Sequence, residues 1–144
     1  MSVILPDPPQ QTSTMTVLII DDDEADLCHW ADTVRNRGNG YTVLTARDRD
    51  SALAVCKERR VDCVLLDLDM PESGFEVLLG LVPNPKQPSI AVVILTRLVY
   101  PTLCEVAKMH GALGWMVKQN TSAEQLDTAI HQAVASVKGL NESE

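Results

Sequence analysis

The chain has 144 residues, of which 45% are hydrophobic and 22% are charged, as in one ordinary globular domain. Its formal net charge is -8, and a protein this acidic is repelled by nucleic acid and by an anionic membrane surface. The apolar run at 90–95 is far shorter than the ~20 residues that cross a membrane. The composition predicts a cytoplasmic protein that binds neither nucleic acid nor membrane.

The first 14 residues differ in composition from the rest, being rich in Pro, Gln, Ser and Thr. They lack the basic start and the long apolar run of a secretory signal, so we predict a flexible arm over 1–14. One domain is predicted over 15–140, followed by a polar tail at 141–144. The cysteines and histidines show no zinc-binding spacing.

Short apolar runs alternate with amphipathic segments along the predicted domain. The runs lie at 16–20, 41–46, 61–69, 90–96 and 114–117. Each is followed by apolar residues at helical spacing, as in Leu126, Ile130 and Ala133 of the last helix. Five such units, with strands apolar on both faces, predict an α/β fold, a doubly wound parallel sheet of five strands covered by five helices.

Several helix features are predicted in detail. Asp48 or Asp50 is expected to cap the second helix. In the third helix, an apolar stripe that includes Leu79 is expected to face the core. Thr121 or Ser122 offers a capping box for the last helix. Gly139 is expected to end that helix.

Polar residues stand where the predicted strands end. Asp21 and Asp22 follow the first strand, Asp67 lies near the end of the third, Thr96 ends the fourth and Lys118 follows the fifth. In open α/β sheets the working site lies at the carboxyl ends of the strands, and clustered carboxylates require a cation. This set suits phosphoryl transfer to a carboxylate with Mg²⁺, an ion that prefers oxygen ligands.

Four segments, in this order, resemble the sequence marks of response-regulator receiver domains of two-component signalling. They are VLIIDDDEAD, VLLDLDMPESGFEVL, VVILT and GALGWMVK. The resemblance covers 16–139 and implies the CheY-like (flavodoxin-like) strand order 2-1-3-4-5. It also implies a phosphoprotein of the single-domain type rather than an enzyme, with only self-phosphotransfer and autodephosphorylation.

The resemblance assigns roles to the residues at the strand ends. Asp67 matches the phosphoacceptor and, with Asp21 and Asp22, the carboxylates that hold Mg²⁺. Asp69 stands where the family uses a backbone carbonyl as a further metal ligand. Lys118 matches the lysine that pairs first with the acceptor and then with the phosphate.

The resemblance also implies a switch and its partners. Thr96 matches the hydroxyl that turns toward the phosphoryl group, and Trp115 falls at the aromatic position that moves with it. A sensor histidine kinase or phosphotransfer protein is the expected donor. The face made by the fourth helix, fifth strand and fifth helix is expected to bind a protein target or a second copy of the chain.

The sequence departs from the family pattern at four places. The turn at 70–74 is one residue short, and Arg97 replaces a small residue, where a guanidinium either contacts the phosphoryl group or blocks its approach. Gln119 replaces the Pro that usually follows a cis bond; a cis bond before Gln costs ~3 kcal/mol, so either a trans bond with a shifted loop or a strained cis bond is expected. Asp69 adds a negative charge.

Three alternatives remain open on the sequence. The departures favour a degenerate receiver that binds proteins without phosphorylation. The string LLDLDM resembles the D-x-D motif of haloacid-dehalogenase-type phosphatases, but the order of the acidic motifs is reversed here. A flavodoxin-like nucleotide-binding protein needs backbone donors at the first strand–helix turn, where this chain has acids.

Overall fold

The computed structural model describes residues 15–37, 40–71 and 74–142. In chain order the elements are β1 (Thr16–Ile20), α1 (Glu24–Arg35), β2 (Thr42–Ala46), α2 (Arg49–Glu58), β3 (Cys63–Leu66), α3 (Gly74–Leu81), β4 (Ala91–Thr96), α4 (Pro101–Met109), β5 (Gly114–Val117) and α5 (Ala123–Glu142). The predicted arm at 1–14 lies outside the described residues. Within them, no helix is long and apolar enough to span a membrane.

The strands form one parallel sheet in the order β2-β1-β3-β4-β5, which confirms the predicted fold and strand order. At one edge of the sheet Ile20 of β1 lies beside Ala46 of β2 and Leu66 of β3. Thr96 of β4 lies beside Val117 of β5 at the same edge. We call this edge, where all the strands reach their carboxyl ends, the carboxyl rim.

The core has two layers because successive side chains of a strand point to opposite faces of the sheet. Leu18 and Ile20 of β1 pack on the face covered by α2, α3 and α4. Val17 and Ile19 pack on the face covered by α1 and α5. The inner strands β3 and β4 are buried along their whole length, as expected for a parallel sheet with helices on both sides.

Helix starts follow the predicted capping chemistry in two cases. Asp48 caps α2, its carboxylate accepting the Ser51 N–H at 2.8 Å. At α5, the Ser122 N–H donates to Gln125 Oε1 at 2.9 Å, and the Gln125 N–H donates to Ser122 Oγ at 3.1 Å. The other predicted box, beginning at Thr121, is wrong, because the Thr121 hydroxyl donates to the Val117 carbonyl at 2.7 Å instead.

Two predictions about helix faces and ends are wrong. Leu79 is 43% exposed, because the buried side of α3 follows the 74, 77, 78, 81 spacing and leaves this residue beside the stripe. Helix α5 continues past Gly139 to Glu142, into the predicted polar tail. A glycine inside a helix costs only about 1 kcal/mol relative to alanine. Helix α5 tolerates this cost because its preceding turns pack against the sheet.

Candidate functional site at the carboxyl ends of the strands

Four of the polar residues predicted at the strand ends are buried at the carboxyl rim. The exposed fractions are 2% for Asp21, 6% for Asp67, 0% for Thr96 and 7% for Lys118. Each follows or ends a different strand, and the parallel sheet brings those ends together. A buried charge is costly unless it is paired and hydrogen-bonded, so the partners of these groups define the site.

The Lys118 ammonium lies at the centre of the site and donates to three carboxylates. Its Nζ is 2.6 Å from Asp21 Oδ2, 2.8 Å from Asp67 Oδ2 and 2.8 Å from Asp26 Oδ2. An ammonium group has three N–H donors, and these contacts use all of them. Burial alone would lower the pKa of Lys118, but the three carboxylates outweigh it and hold that pKa above its ordinary value.

Backbone donors fix the two buried carboxylates in place. The Asp23 N–H donates to Asp21 Oδ1, and the Asp69 N–H donates to Asp67 Oδ1, each at 2.9 Å. Each carboxylate therefore presents one oxygen to a local turn and the other to Lys118. Burial raises the pKa of Asp21 despite these hydrogen bonds and the neighbouring ammonium.

Asp26 is a member of the site that sequence reasoning missed. It lies in the first turn of α1, where its N–H donates to the N-cap carboxylate of Asp23 at 3.0 Å. Burial raises the pKa of Asp26, but hydrogen bonds from Lys118 and Arg97 outweigh it, so the pKa lies below its ordinary value. Its position could have indicated this role, because Asp26 comes three residues after the N-cap Asp23 and so lies in the first turn of α1, beside the carboxyl rim.

Arg97 turns toward α1 in this structure. One of its terminal nitrogens is 2.7 Å from Asp26 Oδ1 and 2.9 Å from Asp26 Oδ2, while the Arg97 side chain remains 54% exposed. Of the two roles expected for Arg97, contact with a phosphoryl group or obstruction of its approach, this geometry shows neither directly. It shows instead that Arg97 and Lys118 share one carboxylate.

Gln119 takes the trans alternative, because there is no cis peptide bond among the described residues. The segment Lys118–Asn120 forms a short 3-10 helix after β5. The Gln119 side-chain amide donates to the Arg97 carbonyl at 3.3 Å. This bond joins the loop after β5 to the loop after β4.

The two residues expected to switch lie on neighbouring strands. The Thr96 hydroxyl oxygen accepts the Leu98 N–H at 3.3 Å and is oriented by its own loop. Trp115 is half-buried, pairs in register with Ile94 and packs against the α2–α4 side of the core. The structure thus shows where both residues lie, and their movement stays a prediction.

The other two residues expected at a metal are more accessible than Asp21 and Asp67. Asp22 is half-buried and Asp69 is exposed. Across residues 15–37, 40–71 and 74–142, no three acidic, histidine or cysteine side chains are poised together to hold a metal ion. The donor set nevertheless fits Mg²⁺, because carboxylate and carbonyl oxygens are its preferred ligands and each carboxylate oxygen has more than one lone pair.

A small surface pocket lies at Asp22, on the accessible side of the site. Its volume is about 100 Å³, and its walls combine cationic, acidic and apolar side chains. The lining residues are Asp22, Arg47, Asp48, Arg49, Met70 and Pro71.

The sequence profile of the response regulator receiver domain matches residues 17–131. The chain therefore belongs to the response-regulator receiver family. Receiver domains are signalling domains of two-component systems and are generally not enzymes.

The chain is similar to parts of two curated proteins, one of which is several times longer than this chain. The polar-differentiation response regulator DivK of Brucella anthropi is 30% identical over 82 residues, which are 56% of this chain and 65% of DivK. A probable cyclic di-GMP phosphodiesterase of Vibrio cholerae is 29% identical over 123 residues, 85% of this chain but 27% of that protein. The chain thus spans about a quarter of one relative and two thirds of the other.

Solved structures show the same fold. The chemotaxis protein CheY4 of Vibrio cholerae has a TM-score of 0.74 and 28% identity, covering 84% of this chain and 99% of CheY4. A response regulator receiver domain protein from Clostridium thermocellum has a TM-score of 0.75 and 28% identity, covering 88% of this chain and 98% of that one.

Proposed function

We propose that the chain is a phosphorylatable receiver in which Asp67 accepts a phosphoryl group in a Mg²⁺-dependent reaction. The observation that supports this most directly is the 2.8 Å contact between Lys118 Nζ and Asp67 Oδ2 inside a buried acidic site. The contact places the Lys118 ammonium beside the nucleophilic Asp67 carboxylate, where it can stabilise the negative charge of the transferring phosphoryl group. Thr96 lies at the neighbouring strand end.

The proposed reaction forms one bond and breaks one. A carboxylate oxygen of Asp67 attacks phosphorus while the bond from phosphorus to the leaving group breaks, and the leaving group keeps the electron pair. An acyl phosphate releases a carboxylate, and a phosphohistidine releases an imidazole nitrogen that is then protonated from solvent. A carboxylate nucleophile has no proton to lose on attack, so the reaction requires no general base.

The protein contributes positioning and charge to this reaction. Lys118 balances negative charge on the phosphoryl oxygens as it accumulates, and Thr96 supplies a hydroxyl donor on the same rim. Receiver domains generally bind Mg²⁺ at this acidic pocket; here Asp21, Asp22, Asp67 and the Asp69 carbonyl would hold it. When bound, Mg²⁺ neutralises charge on the transferring group.

The donor in this proposal is a sensor histidine kinase or a phosphotransfer protein, and the reaction takes place in the cytoplasm. Phosphorylation draws Thr96 inward and Trp115 with it, which changes the surface formed by α4, β5 and α5. That surface then binds a protein target or a second copy of the chain. The partner must bind the two conformations with different affinity for the switch to work.

Incubation with Mg²⁺ and a small acyl phosphate, followed by intact-protein mass spectrometry, tests the proposal. We expect the mass of one phosphoryl group to be added to the wild-type chain and to be absent from Asp67→Asn. Asp32→Asn is the matched control, because it removes one carboxylate from the exposed side of α1. Phosphorylation of Asp67→Asn, or no magnesium-dependent mass gain in the wild type, contradicts the proposal.

A degenerate receiver is the second candidate, and two observations favour it. All three donors of Lys118 are already engaged, and no metal-binding group is preformed within the described part of the chain. In this alternative the surface of α4, β5 and α5 binds its partner regardless of phosphorylation. The same mass measurement, with magnesium binding followed by calorimetry, separates the two candidates.

A further inference from the structure

Asp26 connects the proposed acceptor site to the loop after β4. Its carboxylate receives the Lys118 ammonium at 2.8 Å and the Arg97 guanidinium at 2.7 and 2.9 Å. The two cations meet on the same oxygen, Oδ2. Phosphoryl transfer to Asp67 as proposed above does not require this third carboxylate.

The contacts of Lys118 put Asp26 in competition with an incoming phosphoryl group. The three N–H donors of the ammonium are used by Asp21, Asp26 and Asp67, so contact with a phosphoryl oxygen requires that one of them be released. As the ammonium moves from Asp67 to the phosphoryl group that Asp67 then carries, the contacts that hold it back are those with Asp21 and Asp26, and the Asp21 side chain is only 3% exposed. The Asp26 side chain is 17% exposed and has a second cation, so it is the partner released at least cost.

Arg97 acts on this competition in the opposite direction to Asp26. A guanidinium on the same carboxylate offsets its negative charge and weakens its attraction for Lys118. The guanidinium also compensates Asp26 when the ammonium moves away, so that the carboxylate is not left unpaired. Arg97 therefore favours the release of Lys118 without touching the phosphoryl group.

We propose that Asp26 is a positioning residue that withholds Lys118 from the phosphoryl group, and that Arg97 opposes it by neutralising the Asp26 carboxylate. This inference rests on the proposed function of Asp67. It assigns Arg97 an indirect role, in contrast to direct contact with the phosphoryl group or simple obstruction of the site.

A mutant cycle tests the inference with beryllium fluoride and Mg²⁺ as the phosphoryl mimic. The proteins are the wild type, Asp26→Asn, Arg97→Gln and the double variant, and the measured quantity is the dissociation constant by calorimetry. We expect Asp26→Asn to bind the mimic roughly three- to tenfold more tightly, the scale of one partly exposed charge pair. Arg97→Gln should bind it more weakly, and the double variant should match Asp26→Asn.

The double variant separates an indirect role of Arg97 from a direct one. If Arg97 acts only through Asp26, its substitution has no effect once Asp26 is neutral. If Arg97→Gln weakens binding equally in both backgrounds, Arg97 contacts the phosphoryl group and the inference is overturned. If Arg97→Gln tightens binding, Arg97 obstructs the site and the inference is likewise overturned.

Charge and folding controls complete the experiment. Asp32→Asn removes one negative charge from an exposed position of the same helix. If Asp32→Asn and Asp26→Asn tighten binding of the mimic equally, the effect is one of net charge and the inference is overturned. Asp26→Glu restores the carboxylate and should lie closer to wild type. If Asp26→Asn does not give a cooperative thermal transition, Asp26→Ser takes its place.

The outcome also distinguishes this inference from the proposed function. A wild-type chain that neither gains phosphoryl mass nor binds the mimic overturns both. A wild-type chain that does both, with no tightening in Asp26→Asn, overturns only the role of Asp26.

Discussion

Two polar clusters join distant parts of the chain, and they differ in burial. The rim cluster is Lys118 with Asp21, Asp26 and Asp67, and the Lys118 side chain is 3% exposed. The α5 clamp is a second cluster between α5 and the segment from α1 to β2. It contains Tyr41, Asp127, His131 and Arg37.

The geometry of the α5 clamp is that of a surface joint. The Tyr41 hydroxyl donates to Asp127 Oδ1 at 2.5 Å and lies 3.1 Å from His131 Nε2. Arg37 lies 3.7 Å from Asp127 Oδ2. The side chains of His131 and Arg37 are 48% and 35% exposed, and that of Asp127 between them is 15% exposed.

The difference in burial indicates that the rim cluster is a candidate functional site and that the α5 clamp is a structural contact. Burying a lysine with several carboxylates carries a desolvation cost that apolar residues of similar size avoid. A cluster retained against that cost, at the carboxyl ends of parallel strands, is a candidate for function. The α5 clamp has more exposed cationic groups than the rim cluster, and it joins α5 to the segment between α1 and β2.

The largest expected effect is that of removing the cation from the rim cluster. Lys118→Met should lower the free energy of unfolding by about 3 kcal/mol, because it leaves buried carboxylates uncompensated. Urea unfolding measures the loss, and Mg²⁺ should restore part of it by replacing the missing positive charge. Lys57→Met, on the exposed side of α2, is the control. A loss no larger than that of the control shows that burial does not distinguish the two clusters.

The next effect concerns the backbone beneath the acceptor. A Cβ added at Gly74 would lie 2.6 Å from the Asp67 carbonyl oxygen and 2.7 Å from Leu68 Cα, so Gly74→Ala must displace backbone. We expect a loss of about 1–3 kcal/mol in thermal or urea unfolding, with slower phosphorylation of Asp67.

Gly80→Ala is the matched control because it lies in the same helix. Its Cβ would meet only the Leu53 side chain, at 3.5 Å, and alanine favours the helix by about 1 kcal/mol. Equal destabilisation by the two substitutions would contradict the close approach at Gly74.

The sheet and most of the rim could be predicted because both follow local patterns. Apolar runs mark the strands, and a parallel sheet brings their carboxyl ends together, so Asp21, Asp67, Thr96 and Lys118 were placed by strand position alone. The role of each in phosphorylation stays a prediction.

The contacts that sequence reasoning missed depend on pairs far apart in the chain. Asp26 and Arg97 are separated by 71 residues, and Tyr41 and Asp127 by 86. The strand order does not predict that α1 meets the loop after β4, because β3 lies between β1 and β4. The end of α5 was missed for a different reason, since a single glycine is too weak a signal to stop a helix.

Substitution within the α5 clamp should affect stability without affecting the rim. Tyr41→Phe removes the hydroxyl that Asp127 accepts from, and we expect a loss of about 1 kcal/mol in urea unfolding with an unchanged rate of phosphoryl mass gain. Tyr100→Phe is the control, because Tyr100 is 60% exposed. Slower phosphorylation in Tyr41→Phe would show that the two clusters are coupled.

The smallest expected effect is a dependence of stability on alkaline pH. Burial, together with the hydrogen bond to Asp127, raises the pKa of Tyr41 above its ordinary value of 10.0. A group whose pKa is higher in the folded state stabilises the fold below the unfolded pKa and loses that contribution as the pH rises through the folded value.

The wild-type chain should therefore lose ~0.4 kcal/mol more than Tyr41→Phe as the pH approaches the ordinary tyrosine pKa. Because the chain has 2 tyrosines, Tyr100→Phe leaves Tyr41 as the sole phenol. An absorbance titration of that variant should show phenolate forming at higher pH in the folded chain than in urea. Coincident titrations would mean that the Tyr41 hydroxyl gains nothing from Asp127, and would remove this hydrogen bond from the contacts that hold α5 to the rest of the fold.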